Sequence, residues 1–298
     1  MADNPVLFDR SLARQRRLRA RRGMAVSFLV DHVAQDLAER LSVVMRSFVT
    51  AADIGTPSSR LRDLIRERKL AERIVGVDAL RPERAEGPFV VADEEALPFA
   101  DGSLDLAVSA LALQGVNDLP GTLVQIRRAL KPDGLLLAAL LGGDTLTELR
   151  QSFAAAEAEI EGGVSPHVSP FADLRDVGAL LQRAGFALPV VDVDRLIVRY
   201  DTPFNLMQDL RGMGATNVLI ERRRTPLKRA TLQRMAQIYA ERFSDADGRL
   251  RATFDIVWIS GWAPHDSQQQ PLKPGSAKAR LADALGTMER MTGEKPRS

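Results

Sequence analysis

The amino-acid sequence predicts an α/β fold in which helices surround a mostly parallel sheet. Short apolar segments alternate with amphipathic helices along residues 26–141. Segment 135–141 is apolar throughout, as strands buried on both faces of a parallel sheet are. Because strand–helix–strand units place successive strands in parallel, this alternation indicates a doubly wound sheet.

The elements of the first half follow from periodicity and turn residues. Residues 26–45 carry apolar side chains at spacings of three and four, the pattern of an amphipathic helix. Further helices are predicted at 60–72 and 117–130, the second ending at the turn residues 131–134. The predicted strands are 48–54, 73–78, 90–92, 104–109 and 135–141.

The second half changes to a hairpin with a helical insert. Helices are predicted at 145–161 and 173–184, and strands at 190–200 and 252–262. A long helical stretch, 203–243, separates these two strands. Two final strands so far apart in sequence indicate an antiparallel hairpin at the edge of the sheet.

The complete prediction is a Rossmann-like, mostly parallel, seven-stranded sheet with an antiparallel edge strand and a helical insert at about 203–247. A basic arm, 1–24, precedes this domain of residues 25–265, and a mostly flexible tail, 266–298, follows it. The tail is rich in Gln, Lys, Pro, Gly and Ser, which is typical of segments that bury little apolar surface. One helix is predicted within it at 277–285.

Composition excludes several classes of protein. The chain has no cysteine, which excludes a disulfide scaffold, a zinc–thiolate site and a cysteine nucleophile. The three histidines, His32, His167 and His265, are too few for a histidine-rich metal site, and we predict no metal site. No apolar run approaches the roughly 20 residues that span a bilayer.

Positive charge is concentrated in two segments, although the formal net charge is only +2. Residues 1–22 hold seven arginines, and residues 222–229 hold a second basic cluster. One interpretation is an anionic partner, such as an acidic protein face, a lipid or a nucleic acid; the other is two solvated helix faces. No aromatic-rich stripe supports nucleic-acid binding. No apolar segment of the secretory kind follows the first cluster, so we expect a cytoplasmic protein, with the bacterial inner-membrane surface as an alternative location.

The ends of the first three predicted strands carry the residues that a nucleoside ligand needs. Asp53 and Gly55 belong to a tight turn, where backbone N–H groups can approach a ligand. Asp78 follows Gly55 by 23 residues, at a strand end where a carboxylate can accept both ribose hydroxyls. Asp93, beyond the third strand, is placed to accept a hydrogen bond from an adenine amino group. Each feature alone is typical of plain strand ends, so the prediction depends on their conjunction.

Several motifs resemble those of class I methyltransferases of the type 11 group. The matching segments are V-A-D-E-E-A-L-P-F at 91–99, D-L-A-V-S at 105–109 and L-K-P-D-G at 130–134. More specifically, the chain is similar to the mitochondrial complex I assembly factor 5 family and its bacterial relatives, which also resemble the malonyl-carrier-protein methyltransferases of biotin synthesis. The motifs of this second resemblance are F-D-R at 8–10, V-N-D-L-P at 116–120, G-G-D-T-L at 142–146, E-G-G at 161–163, S-P-H-V-S-P-F at 165–171, L-R-G-M-G at 210–214 and G-W at 261–262 with His265.

The resemblance covers nearly the whole chain and implies a cofactor and a partner. The cofactor is S-adenosyl-L-methionine, the substrate is a protein or a carrier-bound group, and the expected partner is a complex I subunit. The eukaryotic members are described as hydroxylating an arginine of such a subunit, so hydroxylation is one alternative. The expected cofactor-binding residues are Asp53, Gly55, Asp78, Ala92, Asp93 and Ser109.

Two segments depart from the pattern of this family. Gly55-Thr56-Pro57-Ser58-Ser59 replaces a Gly-x-Gly-x-Gly-like loop, and Pro57 has no N–H to donate. Gln114-Gly115 stands where the family carries His-Trp. A second alternative is therefore a non-catalytic assembly factor with a degenerate cofactor loop.

Methyl transfer requires proximity and orientation more than a catalytic triad, so the sequence offers only candidate residues. Ser109, Asp144 and His167 are the predicted catalytic residues. A non-haem iron site, which usually needs two histidines and a carboxylate, has poor support from this sequence. Substrate selection is expected at the insert, where Gly212 and Gly214 make a flexible joint over the site. Further polar candidates are Gln114, Asn117, Asp118 and Thr145.

Overall fold

A computed structural model describes residues 6–23, 25–82, 87–269 and 286–287. The described residues up to Pro264 belong to one compact unit. The helix predicted at 277–285, and most of the predicted tail, lie outside the described residues. The boundaries proposed between arm, domain and tail stay predictions.

The sheet of the described chain has seven strands in the order β3-β2-β1-β4-β5-β7-β6. Strands β1 to β5 are parallel to one another, and β7 runs antiparallel between β5 and the edge strand β6. The predicted fold class is therefore confirmed, with the antiparallel strand one place inside the edge. The strand bounds are β1 Thr50–Ile54, β2 Arg73–Asp78, β3 Phe89–Val91, β4 Leu104–Ala110, β5 Leu130–Leu141, β6 Ala187–Tyr200 and β7 Leu250–Trp262.

Four of the described helices begin after a residue whose side chain accepts a backbone N–H of the first turn, namely Asp9, Asp118, Asp173 and Thr202. The Asp118 carboxylate accepts the Gly121 N–H at 2.9 Å, and Thr202 caps the next-to-last helix just before Pro203. The helix bounds are α1 Arg10–Arg22, α2 Phe28–Ser42, α3 Arg60–Glu67, α4 Leu119–Ala129, α5 Thr147–Ile160, α6 Leu174–Arg183, α7 Pro203–Gly212 and α8 Arg229–Phe243.

Two predicted boundaries were wrong. Helix α3 ends at Glu67 rather than at residue 72, and Lys69 just beyond it has a left-handed φ of 55°. Strand β5 begins at Leu130 rather than at residue 135, because the predicted turn residues 131–134 are taken into the strand through an irregular register.

Both faces of the sheet are covered, as the apolar strands predict. On one face α2, α3, α5 and α8 pack against residues such as Ala51 and Leu137. On the other face α4 and α6 pack against the alternate residues, such as Ala52 and Leu136.

The insert consists of α7 and α8 and joins the two strands of the long β6–β7 hairpin. It is interrupted where the sequence predicts a joint: α7 ends at Gly212, and Gly214 has a positive φ of 73°. Met235 and Ile238 of α8 are fully buried, so the second part of the insert belongs to the core. Among the described helices, none is both long and apolar enough to cross a membrane.

Candidate active site

The turn after β1 is closely packed and requires glycine. Gly55 has a positive φ of 73°, and its N–H donates to the Val77 carbonyl at 2.6 Å. A Cβ atom at this position would lie 2.8 Å from both the Ala112 Cβ and the Glu94 Oε1. The predicted tight turn at Gly55 is therefore present, and a side chain has no room there.

Thr56, which departs from the glycine-rich pattern, turns its side chain inward. Its hydroxyl donates to the Asp53 carboxylate and accepts the Ala110 N–H at 2.9 Å. The residue is buried, and the hydroxyl ties the turn to the neighbouring strand β4. Pro57 and Ser58 continue the turn and line open space on both sides of it.

Asp53 was predicted to bind the cofactor, but its carboxylate is occupied inside the protein. The side chain is fully buried and pairs with the nearly buried Arg62, whose Nη1 lies 2.5 Å from Oδ2. Burial raises the pKa of Asp53 to about 6, against the opposing effect of Arg62 and Thr56. Asp53 therefore supports the turn from below, and its role toward a ligand is indirect.

Asp78 ends β2 beside open space, as predicted for a ribose ligand. Its side chain helps to line a cavity of about 260 Å³ next to Pro57 and Ser58. One carboxylate oxygen accepts the Leu80 N–H at 2.8 Å. The other oxygen binds the guanidinium of Arg17, and the Nη2 atom of Arg21 lies 3.4 Å from it. We call the space around Asp78 and residues 55–59 the strand-end cleft.

Asp93 is held by two arginines of α1, the helix that also carries Arg17 and Arg21. The Arg10 Nη2 atom lies 2.7 Å from Oδ1, and Arg14 binds the other oxygen. Although burial acts to raise it, the pKa of Asp93 lies below its usual value, because the Glu95 N–H and the two arginines stabilise the carboxylate. Arg10 also pairs with the buried Glu94.

The arginines of α1 are the residues that sequence reasoning missed. Arg10, Arg14, Arg17 and Arg21 recur at spacings of four, three and four, so they lie on one face of the helix. The basic arm was interpreted as a surface for an anionic partner or as a solvated face, whereas its inward arginines pair with acids of the cleft. The spacing of the arginines was visible in the sequence, but the sequence did not indicate which acidic residues they pair with.

A second, larger cavity of about 350 Å³ has a mostly apolar wall. Leu149, Phe153 and Phe171 are typical of this wall. Among the described residues that form it, none is an aspartate or glutamate, and Arg211 is the one arginine or lysine. We call this space the apolar cavity.

His167, a predicted catalytic residue, lies in the wall of the apolar cavity. Its ring stacks on Phe153 with centroids 4.0 Å apart, and its Nε2 atom lies 2.9 Å from Glu157 Oε1. Glu157 is 1% exposed and also accepts the Ser165 N–H at 2.6 Å. Although burial acts to raise it, the pKa of Glu157 lies below its usual value because His167 and Ser165 hydrogen-bond the carboxylate. The structure thus fixes the histidine through a buried acid that the sequence did not point to.

The other predicted catalytic residues are engaged elsewhere. Ser109 is buried within β4 and donates its hydroxyl to the Ile54 carbonyl at 2.7 Å, which ties two strands together. Asp144 is exposed and pairs with Arg195 of the edge strand β6, so it does not line either space described above. The Ala92 N–H donates to the Asp78 carbonyl at 3.2 Å, a contact that positions β3 beside β2.

Asn117 and Gln114 have different surroundings. The Asn117 side chain accepts the N–H groups of Leu7 and Phe8, both at 2.8 Å, and thereby fixes the segment before α1. Gln114 lines the apolar cavity, and its Nε2 donates to the Leu111 carbonyl at 2.8 Å. Its Oε1 has no hydrogen-bond partner in the described part of the chain. Within that part, no group of three or more His, Asp or Glu residues could hold a metal ion.

Known proteins resemble this chain both in sequence and in fold. A model of the methyltransferase domain family matches residues 52–138. The human mitochondrial arginine hydroxylase NDUFAF5 is 41% identical over 286 residues, which cover 93% of this chain and 83% of that protein. The malonyl-[acyl-carrier protein] O-methyltransferase of Laribacter hongkongensis is 37% identical over 83% of this chain and 86% of its own length. The chain belongs to this family of class I methyltransferases.

Membership agrees with the fold and with the predicted cofactor. The family uses S-adenosyl-L-methionine, the cofactor that the sequence predicted. The YcgJ protein of Bacillus subtilis is 15% identical and superimposes with a TM-score of 0.52 over 78% of this chain and 99% of its own. At such low identity this likeness shows the fold alone.

The residues of the strand-end cleft fit a nucleoside cofactor on one condition. Pro57 and Ser58 adjoin open space on both sides of the turn, and Asp78 lies at its wall. However, Arg17 and Arg21 pair with the carboxylate that ribose hydroxyls would approach, so the condition is that these arginines leave room for the ribose.

Proposed function

We propose that the protein is an S-adenosylmethionine-dependent methyltransferase that modifies a protein or carrier-bound acceptor during assembly of respiratory complex I. Relatives named arginine hydroxylase NDUFAF5 support the complex I subunit as partner, and relatives named malonyl-[acyl-carrier protein] O-methyltransferase support methyl transfer. The proposed location is the cytoplasm or the cytoplasmic face of the inner membrane.

The observation that carries methyl transfer is the position of the apolar cavity. It shares wall residues, among them Leu29, Gln114 and Leu141, with a cavity of about 230 Å³ that Pro57 and Ser58 also line. An acceptor in the apolar cavity would therefore lie next to a cofactor held at the turn. Proximity of this kind is the main contribution that a methyltransferase makes to the reaction.

The polarity of the apolar cavity favours a neutral or anionic acceptor over a guanidinium. A buried cation needs a carboxylate partner, and the described wall supplies none while Arg211 would repel it. The nearby acids Asp78, Asp93 and Glu157 already have cationic or histidine partners. This argument supports methyl transfer in preference to hydroxylation of an arginine.

The chain's own residues would hold and desolvate the acceptor. A bound cofactor supplies a sulfonium methyl group, which passes to an acceptor lone pair while the sulfur keeps the electrons of the broken bond. Leu149 and Phe153 would exclude water from the acceptor. His167, which Glu157 holds in place, could take a proton from the acceptor.

Mass spectrometry of complex I subunits incubated with the protein and S-adenosylmethionine tests the proposal. We expect a mass increase of one methylene, abolished by Asp78→Ala, which removes the ribose acceptor. Asp101→Ala is the matched control, because Asp101 pairs with Arg128 at an exposed site away from the cleft. A mass increase of one oxygen atom would establish the hydroxylase instead.

A non-catalytic assembly factor is the second candidate. The observation that favours it is the occupation of Asp78 by Arg17 and Arg21, which closes the ribose position in this structure. Capture of a complex I subunit, together with no cofactor binding by calorimetry, would select this candidate.

A further inference from the structure

Helix α1 is held over the strand-end cleft by charge rather than by apolar burial. None of its thirteen residues is buried. Its inward arginines contact Asp93, Glu94 and Asp78 in turn along the helix. A helix without a fully buried face depends largely on such polar contacts for its attachment.

The beginning of α1 is firmly fixed. The Asp9 N–H donates to the Val218 carbonyl at 2.8 Å, and the Ile220 N–H donates to the Leu7 carbonyl at 2.9 Å. Phe8 between them is 5% exposed, and Asn117 binds the same segment. This end of the helix can serve as a pivot.

The far half of α1 depends on Asp78 and on close contact with the insert. Arg17 and Arg21 meet Asp78, and Gly23 ends the helix immediately afterwards. A Cβ atom at Gly214 would lie 2.9 Å from the Arg17 Cα. The helix therefore occupies its position because residue 214 has no side chain and because Asp78 carries a charge.

We infer that α1 is an arginine strap, comprising Arg10, Arg14, Arg17 and Arg21, whose far half must release Asp78 before the cofactor can bind. This inference rests on the proposed function. Asp78 has one oxygen engaged by Leu80 and the other by arginines, so ribose hydroxyls and the strap compete for the same carboxylate. Competition lowers the apparent cofactor affinity by the fraction of molecules in which the strap is open.

Calorimetry with S-adenosylhomocysteine tests the strap, since this product lacks the sulfonium charge whose own salt dependence would confuse the result. The test variant is Arg17→Gln with Arg21→Gln, and the control is Arg19→Gln with Arg22→Gln on the exposed face of α1. At low salt, we expect the test variant to bind at least about tenfold tighter than the wild type, and the control to match the wild type.

The salt dependence of ligand affinity is the second test of the strap. Raising the sodium chloride concentration from about 50 to about 500 mM screens partly exposed ion pairs, so wild-type affinity is expected to increase while that of the test variant stays constant. Gly214→Ala, which alters no charge, is expected to act in the same direction as the test variant by pushing Arg17 away. Hydrogen exchange of residues 10–22 is expected to become faster when the ligand binds to the wild type.

Three results would overturn the strap. Weaker binding by the arginine variant would mean that these arginines belong to the cofactor site, and unchanged binding would mean that α1 does not control access. If neither the wild type nor the variants bind, the proposed function fails together with the strap. If the wild type binds and the variants match it, only the strap fails.

Discussion

The strand-end cleft and the apolar cavity are neighbours that are built on opposite principles. In the cleft, Asp78 is matched by Arg17 and Arg21 of α1, so the state of the cleft depends on charge and on salt. In the cavity, Phe153 and Leu149 present shape alone, and no carboxylate belongs to the described wall. Under the proposed function, this difference means that the charged cleft would control when the cofactor binds, while the apolar cavity would select the acceptor.

The largest expected effect is on the turn after β1, which borders the strand-end cleft. Gly55→Ala places a Cβ atom 2.8 Å from Ala112 and Glu94 and forces a side chain into a left-handed conformation. We expect the free energy of unfolding to fall by roughly 2–5 kcal/mol in urea titrations. Gly143→Ala, where an added Cβ meets no atom within 4 Å, is the control and should change little. Equal stability of the two variants would show that the turn is looser than described.

The second largest effect is expected from filling the apolar cavity, which should leave the strand-end cleft unchanged. Gly115 borders the apolar cavity, and a Cβ there meets nothing within 4 Å, so Gly115→Trp can fill the cavity. We expect methyl transfer to fall at least about tenfold, with the affinity for S-adenosylhomocysteine unchanged. Gly143→Trp serves as the control for a surface indole. Loss of cofactor affinity in Gly115→Trp would break the proposed division between cleft and cavity.

Glu157 is a buried carboxylate behind the wall of the apolar cavity, and its substitution tests that wall. Glu157→Gln is expected to lower the free energy of unfolding by about 1–3 kcal/mol at pH 7, because His167 and Ser165 lose a charged acceptor. A carboxyl whose pKa is lower in the folded protein adds stability above its unfolded pKa, and this stability is lost as the pH falls through the folded pKa. The difference between the two proteins should therefore shrink below about pH 4.5. A difference that stays constant from pH 7 to pH 3 would contradict the assigned ion pair.

The smallest expected effect concerns Asp144, which the sequence predicted to be catalytic. It pairs with Arg195 at an exposed edge. Asp144→Asn should change both turnover and stability little, by less than about 0.5 kcal/mol. A large loss of kcat with normal stability would restore the catalytic prediction and place the acceptor nearer to β6 than the cavity suggests.

Apolar periodicity predicted the fold well because it records burial on both sheet faces. Segment 135–141 lies within β5, which has a neighbouring strand on each side, and the interruption near Gly212 ends α7. The site was harder to predict, because a side chain's partner depends on tertiary structure. The sequence could place Asp53 and Asp78 at strand ends, but it could not show that Arg62 would bind the first and Arg17 the second.

The wall that the apolar cavity shares with the 230 Å³ cavity at Pro57 and Ser58 has an energetic consequence. Leu29, Gln114 and Leu141 face both spaces, so a molecule that orders them from one side leaves less freedom to be lost when a second molecule arrives on the other. Cofactor and acceptor should then strengthen each other's binding by the same factor, whichever of them enters first.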